Sequence, residues 1–256
     1  MDNRKYNEWK NWNEVEFGSV GPGSHFYFDQ IFKPRLGLKS KILDLGFGNG
    51  ELLSYFRSQG HDTVGVEINE SLVRKANNAG YAAYSGAIEE IAELQHEKFD
   101  LIAAFDVAEH MNFEQLNNFF SWVQMHLNEG GKLYLRFPEG ASPFGLSNQN
   151  GDFMHLTSLT MTKIMVLCDI SNMVLLSYFD ELLSSNKLCS LGWPGKIVLL
   201  SLQWYSSMMK WMLRLLLSPL ATSLRLGTNS IAVIGARKSP SDETNPKLGQ
   251  RNVWNW

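Results

Sequence analysis

Short apolar runs alternate with amphipathic segments from residue 39 onward. Runs at 41–45, 62–67, 81–84, 99–105 and 131–137 predict buried strands, and the stretches between them predict helices at 50–59, 70–79, 88–94 and 113–127. Apolar positions in the last helix recur at spacings of three and four, which indicates a stripe that faces the core: Phe113, Leu116, Phe119, Phe120, Val123 and Leu127. This alternation predicts an α/β fold with a mostly parallel sheet and helices on both faces.

Two flanking regions do not follow this alternation of strands and helices. Residues 1–38 are rich in aromatic side chains without a clean period, and we expect a partly helical cap over the ligand site. Beyond the fifth strand we expect a helix near 157–168, a strand near 173–180, a long apolar segment at 195–220 and a last strand at 230–236. The resulting domain spans 39–238, with an amphipathic helical insertion at about 186–227. The polar, charged residues 239–256 predict a disordered tail.

Composition excludes some classes of function. The chain has 256 residues, 44% of them hydrophobic, which is enough for a core. A net charge of −3 argues against a nucleic-acid partner. Cys168 and Cys189 show no metal-site spacing, so we expect reduced thiols in a cytoplasmic protein. The polar N-terminal residues do not resemble a signal peptide.

A glycine-rich turn follows the first predicted strand, with the sequence Gly46-Phe47-Gly48-Asn49-Gly50. A dinucleotide site would have the pattern G-x-G-x-x-G, but here the third glycine comes one residue early and Glu51 occupies its place. An acid beside a pyrophosphate would repel it. S-adenosylmethionine (SAM) carries no phosphate and is cationic, so Asp44 before the turn is favourable. Glu67 at the end of the second strand can accept hydrogen bonds from both hydroxyls of a ribose. The pattern therefore favours SAM.

The chain resembles the class I SAM-dependent methyltransferases over residues 39–180 and the last strand. Two segments, Phe99-Asp100-Leu101-Ile102 and Asp106-Val107-Ala108-Glu109-His110, are similar to the ubiquinone-type O-methyltransferase group, which includes enzymes of surface-glycan gene clusters. Gly130-Gly131-Lys132-Leu133 and Phe137-Pro138-Glu139 resemble its fifth strand and the following loop. The resemblance implies a Rossmann-like, seven-stranded sheet of order 3-2-1-4-5-7-6, with strand seven antiparallel.

The same resemblance implies a set of residues that bind the cofactor. The methionine part of SAM would contact Asp44, Gly46, Phe47, Gly48 and Gly50, and Glu67 would hold the ribose. Many relatives have an acid at the position of Ala87. Because this chain lacks one, the adenine would depend on backbone groups of Ala87 and Ile88 and on stacking by Ile68. Asp106 would lie near the amino end of SAM.

Three residues are candidates for the chemistry: Glu109, His110 and His155. A hydroxyl acceptor must lose a proton, and an imidazole at the carboxyl edge of the sheet could take it. Two alternatives stay open. Glu109 and His110 could instead cap or brace the next helix. Together with Asp106 and His155 they also form a pattern similar to the metal site of RNA 3′-terminal 2′-O-methyltransferases. We expect no metal, because the Glu-His pair is common in relatives that lack one.

The apolar segment at 195–220 predicts an amphipathic helix. Its polar positions share one narrow face: Lys196, Gln203, Ser207, Lys210, Arg214 and Ser218. Cations in mid-segment argue against a membrane span, whereas a wide Trp/Leu/Met face fits docking on a membrane surface. The alternative is a helix that packs on the domain or forms a homodimer.

Together these features predict SAM-dependent O-methylation of a small molecule, with a sugar- or polyprenyl-linked hydroxyl as acceptor in polysaccharide biosynthesis. We expect a cytoplasmic protein with contact at the inner membrane surface. An N-methyltransferase that acts on an amino sugar and a non-catalytic SAM-binding protein are the alternatives.

Overall fold

The structure is a computed structural model that describes residues 16–33, 36–37, 39–181, 192–217 and 228–237. Some predicted regions lie outside the described residues: part of the N-terminal cap, Cys189, most of the flanks of the insertion, and the tail at 239–256. The boundaries proposed from the sequence for cap, domain and tail therefore stay predictions.

Within the described residues, seven strands form one sheet. They are Lys41–Leu45 (β1), Asp62–Glu67 (β2), Ala82–Ser85 (β3), Phe99–Phe105 (β4), Leu127–Pro138 (β5), Met173–Asp180 (β6) and Asn229–Ala236 (β7). Their order is β3-β2-β1-β4-β5-β7-β6, and β7 runs antiparallel to both of its neighbours. The fold class, the strand order and the direction of the last strand are confirmed.

Helices cover both faces of this sheet. They are Pro22–Phe32 (α1), Glu51–Ser58 (α2), Glu70–Asn78 (α3), Phe113–His126 (α4), Leu146–Asn150 (α5), Met161–Ile170 (α6) and Trp193–Leu217 (α7). Neighbouring residues of β1 point to opposite faces, as the pleat requires. Ile42 packs in a core with the aromatic side chains of α1 and α2, whereas Leu43 packs in a larger core with α4 and α6.

Residues 88–94 form two short 3₁₀ turns rather than the predicted helix. The buried side chains are Ile88, Ile91 and Leu94, spaced by three residues. A repeat of three matches the 3₁₀ geometry, in which every third side chain is eclipsed, better than the 3.6-residue repeat of an α-helix. Ile91 is extended between the two turns. The predicted α-helix was wrong because a short apolar spacing of three was taken for helical periodicity.

The stripe on α4 is confirmed with one exception. Leu116, Phe119, Phe120 and Val123 are buried, and Leu127 is buried as the first residue of β5. Phe113 at the start of the helix is 63% exposed, so its prediction as a core residue was wrong. The first turn extends beyond the edge of the core, where spacing alone does not determine burial.

The predicted insertion contains the 25-residue helix α7. Among the residues that the structure describes, no helix is long and apolar enough to cross a membrane. Large apolar side chains on α7 are nevertheless exposed: Trp193, Ile197, Val198, Leu200, Leu202, Trp204, Tyr205, Met209, Trp211 and Met212. Of the predicted polar face, Lys196 is exposed. The side chains at the other polar positions lie outside the described part of the chain: Gln203, Ser207, Lys210, Arg214 and Ser218.

Candidate active site

The glycine turn after β1 depends on backbone conformations that suit glycine. Gly46, Gly48 and Gly50 have φ angles of 69°, 54° and 76°, in the left-handed region. A Cβ atom on Gly46 would lie 2.4 Å from Cγ2 of Val107, and one on Gly50 would lie 2.2 Å from the ring of Phe17. The turn is therefore packed between the N-terminal segment and the segment that follows β4. The contact with Val107 joins the cofactor loop to the residues predicted for the chemistry.

Glu67 lies at the carboxyl end of β2, beside the glycine turn. Its Oε2 accepts a hydrogen bond from the backbone N–H of Gly48 (3.1 Å), and its Oε1 accepts one from Asn69 (3.0 Å). Burial raises the pKa of Glu67, and the backbone donors, Asn69 first and then Gly48, partly oppose this rise. The backbone of Ile68 is a third donor, but a carboxylate has about four lone-pair sites, so Glu67 can still accept from the ribose.

Asp44 is the second buried acid of this edge. It is 2% exposed, and its Oδ2 has no hydrogen-bond partner in the structure. Burial, together with the negative charge of Glu67, raises the pKa of Asp44 well above its ordinary value, and Arg136 opposes the rise. A buried acceptor without a donor is costly. This oxygen therefore fits a ligand that brings a cationic or N–H group, as the amino and sulfonium groups of SAM would.

The residues predicted for the adenine lie on the same side. Ile68 is 75% exposed, and Ala87 is exposed as well, whereas the side chain of Ile88 is buried in the core. An exposed isoleucine beside Glu67 offers an apolar face to a planar base. The ring of Phe47 is buried and lies close to Gly65, where an added Cβ would meet it at 2.7 Å. Its side chain therefore belongs to the core, and its backbone is the part that can face a ligand.

Asp106, which the resemblance places near the amino end of SAM, pairs with a guanidinium in the structure. Its Oδ1 accepts a hydrogen bond from Nε of Arg136 (3.1 Å), and its Oδ2 contacts Nη2 of the same guanidinium. Arg136 also donates to Oε1 of Glu181 at 3.3 Å. Asp106 has a φ angle of 59°, which is uncommon for a residue other than glycine. The pair with Arg136 orients this carboxylate, and the sequence analysis did not include Arg136 because nothing in the local pattern marks it.

The three residues predicted for the chemistry lie together. Ligand atoms of Glu109, His110 and His155 all lie within 4.8 Å of one another. The two imidazole rings meet edge to face with centroids 4.7 Å apart, and Nε2 of His155 is 3.9 Å from Oε1 of Glu109. Glu109 is fully buried and the side chain of His155 is 9% exposed. A carboxylate and two imidazoles therefore meet at the carboxyl edge of the sheet.

Backbone hydrogen bonds hold this cluster in place. The carbonyl of Glu109 accepts from the N–H groups of Leu156 (2.8 Å) and Thr157 (3.0 Å), and the hydroxyl of Thr157 donates to the carbonyl of Met111 (2.7 Å). These bonds fasten the loop that carries His155 onto the turn that carries His110. The positions of both loops after strand ends predict one shared edge, whereas their pairing depends on contacts between segments distant in sequence.

The proposed cap of the next helix is a different residue. Asn112 caps α4: its side chain accepts from the N–H of Gln115, and the side chain of Gln115 bonds back to the N–H of Asn112. This capping box satisfies the helix start without Glu109 or His110. The carbonyl of Glu109 does brace the His155 loop, but its carboxylate points into the cluster.

Asp152 is a further member that the sequence analysis did not select. Its Oδ2 lies 3.9 Å from Nε2 of His155, and its side chain is 13% exposed. Its Oδ1 accepts from the N–H of Met154 (2.8 Å), which shapes the loop. A spacing of three residues between an acid and a histidine was the available signal, but such pairs are common on surface loops.

Comparison with known families gives a match over more than half of the chain. The model of a methyltransferase domain family matches residues 25–170, which include the glycine turn, Glu67 and all three members of the cluster. The chain therefore belongs to this methyltransferase family. No protein with a curated description matches the chain's sequence.

Solved structures show the same fold at low sequence identity. A SAM-dependent methyltransferase from Archaeoglobus fulgidus is 17% identical with a TM-score of 0.56, covering 81% of this chain and 91% of its own. A SAM-dependent enzyme from Thermotoga maritima, described as a possible histamine N-methyltransferase, is 15% identical with a TM-score of 0.57, covering 92% and 97%. A methyltransferase of calicheamicin biosynthesis, solved with S-adenosylhomocysteine (SAH) bound, is 14% identical with a TM-score of 0.52, covering 84% and 54%. The fold is thus that of SAM-dependent methyltransferases, which supports the predicted cofactor.

Proposed function

We propose that the chain transfers the methyl group of SAM to a hydroxyl of an acceptor that binds beside Glu109, His110 and His155. The observation that carries this proposal is the contact between the two halves of the site. Val107, which directly precedes the turn of Glu109 and His110, packs against Gly46 of the glycine turn. A methyl donor on the glycine turn and an acceptor at the cluster would therefore be neighbours.

The cofactor half fits SAM in its charge and shape. Glu67 would accept from the ribose hydroxyls, Ile68 would cover the adenine, and Asp44 would face the cationic methionine part. The unpartnered Oδ2 of Asp44 supports this orientation, because a cationic ligand would relieve its burial. A pyrophosphate would instead meet two buried carboxylates, so a nicotinamide dinucleotide fits poorly.

The other half supplies the chemistry that a hydroxyl needs. Methyl transfer is a displacement at the methyl carbon, so most of the rate comes from holding the acceptor in line. A hydroxyl must also lose its proton, whereas an amine needs only to be neutral. Two imidazoles beside a buried carboxylate favour the hydroxyl acceptor over the amine.

Exposed apolar side chains in the loops that carry His155 support an apolar substrate. The loops between β5 and α6 carry exposed apolar side chains on both sides of His155: Phe144, Leu146, Phe153, Met154 and Leu156. Phe153 is fully exposed. Isolated exposed apolar residues are common, but five in the stretch 144–156, which also carries His155, suggest contact with a lipid. We therefore propose a polyprenyl-linked sugar as acceptor.

The helix α7 supports delivery of such an acceptor from a membrane surface. Its exposed Trp193, Trp204 and Trp211 suit the interface between lipid and water. Between Glu181 and Asp242 the sequence contains no acidic residue, and α7 carries Lys196, Lys210 and Arg214. An apolar helix with only cationic charges is complementary to anionic lipid. Packing of the same face against a second copy of the chain is the alternative outcome.

Cofactor binding is tested first, by titrating the purified protein with SAH and with NADH in a calorimeter. We expect micromolar affinity for SAH and no heat with NADH. Preference for NADH would overturn the cofactor assignment. Transfer of a labelled methyl group from SAM is then measured to a polyprenyl-phosphate-linked hexose in micelles, to the free hexose and to an amino sugar. Methylation of the lipid-linked hexose supports the acceptor class, whereas methylation of an amino sugar alone would overturn it.

Membrane contact is tested by co-sedimentation with phosphatidylglycerol vesicles and phosphatidylcholine vesicles at low salt. We expect sedimentation with the anionic vesicles and its loss in the double variant Trp204→Ser/Trp211→Ser. Phe113→Ser is the matched control, because this exposed aromatic residue lies on α4. Absence of sedimentation, or a stable dimer that the double variant dissociates, would overturn membrane docking.

A further inference from the structure

We propose that Glu109, His110 and His155 bind a divalent transition-metal cation, in contrast to the metal-free site expected from the sequence. Of the residues that the structure describes, these three form a group whose ligand atoms all lie within 4.8 Å of one another, so that small side-chain movements would bring all three onto one ion. Two atoms that each lie about 2.0–2.2 Å from the same ion can be at most about 4.4 Å apart. The 3.9 Å between Nε2 of His155 and Oε1 of Glu109 falls inside this limit.

The orientation of both imidazoles fits ligands of a cation. Nδ1 of His110 lies 3.1 Å from the carbonyl oxygen of Met154, and Nδ1 of His155 lies 3.0 Å from that of Gln149. Because a carbonyl only accepts, each Nδ1 carries a proton, and in the neutral ring the lone pair then lies on Nε2. Histidines that bind metals characteristically donate their other ring N–H to a carbonyl or carboxylate in this way.

The buried carboxylate points to the same conclusion. The carboxylate of Glu109 is buried beside both imidazoles, so a cation bound there would be shielded from water. The 3.9 Å to His155 is too long for a hydrogen bond. A cation between the two groups would attract both at bond lengths shorter than this separation.

The ligand set differs from the one suggested by the sequence pattern. Asp106, its fourth member, is held by Arg136 and faces that guanidinium. The set on the structure is thus two imidazoles and one carboxylate, which suits Mn²⁺, Fe²⁺ or Zn²⁺ better than Mg²⁺, an ion that prefers oxygen ligands. Three protein ligands leave a position for the acceptor hydroxyl.

The role of this ion deepens the proposed function and rests on it. An acceptor oxygen bound to the ion would lose its proton to solvent more readily, because the cation stabilises the alkoxide. The oxygen then forms a bond to the methyl carbon, the carbon–sulfur bond of SAM breaks, and its electron pair stays on sulfur to give SAH. The overall change is transfer of one methyl group and release of one proton.

Cation binding is tested directly, without cofactor or acceptor. Protein treated with a chelator and then desalted is titrated with Co²⁺, followed by visible absorption, and with Mn²⁺ and Mg²⁺ in a calorimeter. We expect one equivalent of Co²⁺ or Mn²⁺ to bind, with Mg²⁺ at least tenfold weaker. His155→Ala and Glu109→Gln should each weaken binding at least a hundredfold, and His96→Ala, at an exposed histidine outside the cluster, should not.

The outcomes separate this site from the proposed function. No Co²⁺ or Mn²⁺ binding, or binding that persists unchanged in both cluster variants, overturns the metal site. Binding of SAH by Glu109→Gln at the wild-type affinity shows that its fold and cofactor half are intact, so that loss of the metal is local. Methyl transfer that is unchanged in excess chelator overturns the catalytic role of the ion. If the protein binds Mn²⁺ but not SAH, the proposed function fails and the metal site stands.

Discussion

The two halves of the candidate site are built in different ways. The cofactor half is built from two adjacent strands that are close in sequence: the glycine turn directly follows β1, and Glu67 at the end of β2 accepts from Gly48, nineteen residues earlier, and from Asn69, two residues later. The acceptor half joins the turn at Glu109 to a loop some 45 residues later, through backbone hydrogen bonds. Local geometry can therefore specify the cofactor, whereas the acceptor chemistry depends on how two distant loops meet.

The largest effect on SAH binding is expected when Glu67, the acid of the cofactor half, is removed. Glu67→Ala should weaken SAH binding by about 10²–10⁴, because two hydrogen bonds to a charged group contribute about 3–6 kcal/mol together. Cation affinity at Glu109, His110 and His155 should not change. Calorimetry with SAH and with Mn²⁺ measures both.

Two controls accompany this variant. Glu70→Ala removes an exposed acid at the start of α3 and should keep full SAH affinity. Glu67→Gln keeps the shape and one acceptor oxygen, so its loss should be smaller than that of Glu67→Ala. If Glu67→Ala binds SAH like the wild type, the ribose does not lie on this carboxylate.

The contact between the halves is tested by a pair of glycine variants. Gly46→Ala and Gly60→Ala both place a side chain on a left-handed residue, which costs about 1–2 kcal/mol. Only at Gly46 would the new Cβ meet another residue, Val107 at 2.4 Å, whereas nothing lies within 4 Å of it at Gly60. Overpacking adds about 1–3 kcal/mol, so Gly46→Ala should lower the unfolding free energy by about 2–5 kcal/mol.

Urea unfolding measures these differences. Gly46→Ala should also reduce SAH affinity and methyl transfer together, because its clash displaces both the glycine turn and the segment before Glu109. Gly60→Ala should change neither. If both variants lose the same unfolding free energy, Val107 can move aside without cost. The contact between Gly46 and Val107 then does not couple the two halves.

The difference between the cofactor half and the acceptor half also explains which features could be predicted from the sequence. The run of apolar residues before Gly46 and the acid at Glu67 predicted the strands and the cofactor, because each signal lies within a short stretch of sequence. Strand order followed from the family resemblance and is confirmed. Residues 88–94 were mispredicted because an apolar spacing of three fits 3₁₀ turns as well as an α-helix, and Phe113 was mispredicted because burial there depends on where the core ends.

The acceptor half was predictable only in part. Glu109, His110 and His155 were selected from their places at strand ends, and the structure brings them together. The partnership of Asp106 with Arg136 was not foreseen, since the two lie thirty residues apart and pair only once β4 and β5 are adjacent. The orientation of the imidazoles could not be predicted from the sequence either, because it depends on the carbonyls of Met154 and Gln149.

A smaller effect is expected from the second buried acid. The folded-state pKa of Asp44 is raised above its ordinary value of 3.8, so the folded protein binds this proton more tightly than the unfolded chain does. Stability therefore falls as the pH rises through the window from about 3.8 to the raised pKa. Asp44→Asn removes this loss and should stabilise the free protein at neutral pH by about 1–3 kcal/mol while weakening SAH binding.

Urea unfolding over a series of pH values measures this effect. The gain of Asp44→Asn over wild type should grow with rising pH, and Asp62→Asn, at an exposed carboxylate at the start of β2, should show no such growth. A gain in stability with a loss of SAH binding would identify Asp44 as a residue whose burial serves the ligand. Stability that is lower at every pH would instead make this carboxylate a structural acceptor.

The smallest expected effect concerns the adenine side of the cofactor half. Ile68 is 75% exposed in the free protein, so truncating it removes little packing. If adenine covers this side chain, Ile68→Ala loses apolar contact worth about 1 kcal/mol, and SAH affinity should fall about fivefold. The unfolding free energy should stay within about 0.5 kcal/mol of wild type.

Ile170→Ala, at a half-exposed isoleucine on α6, should leave both the SAH affinity and the unfolding free energy unchanged. Unchanged SAH affinity in Ile68→Ala would mean that the adenine is held by the backbone near Ala87 instead, so that the cofactor half would depend on side chains only at its two buried acids.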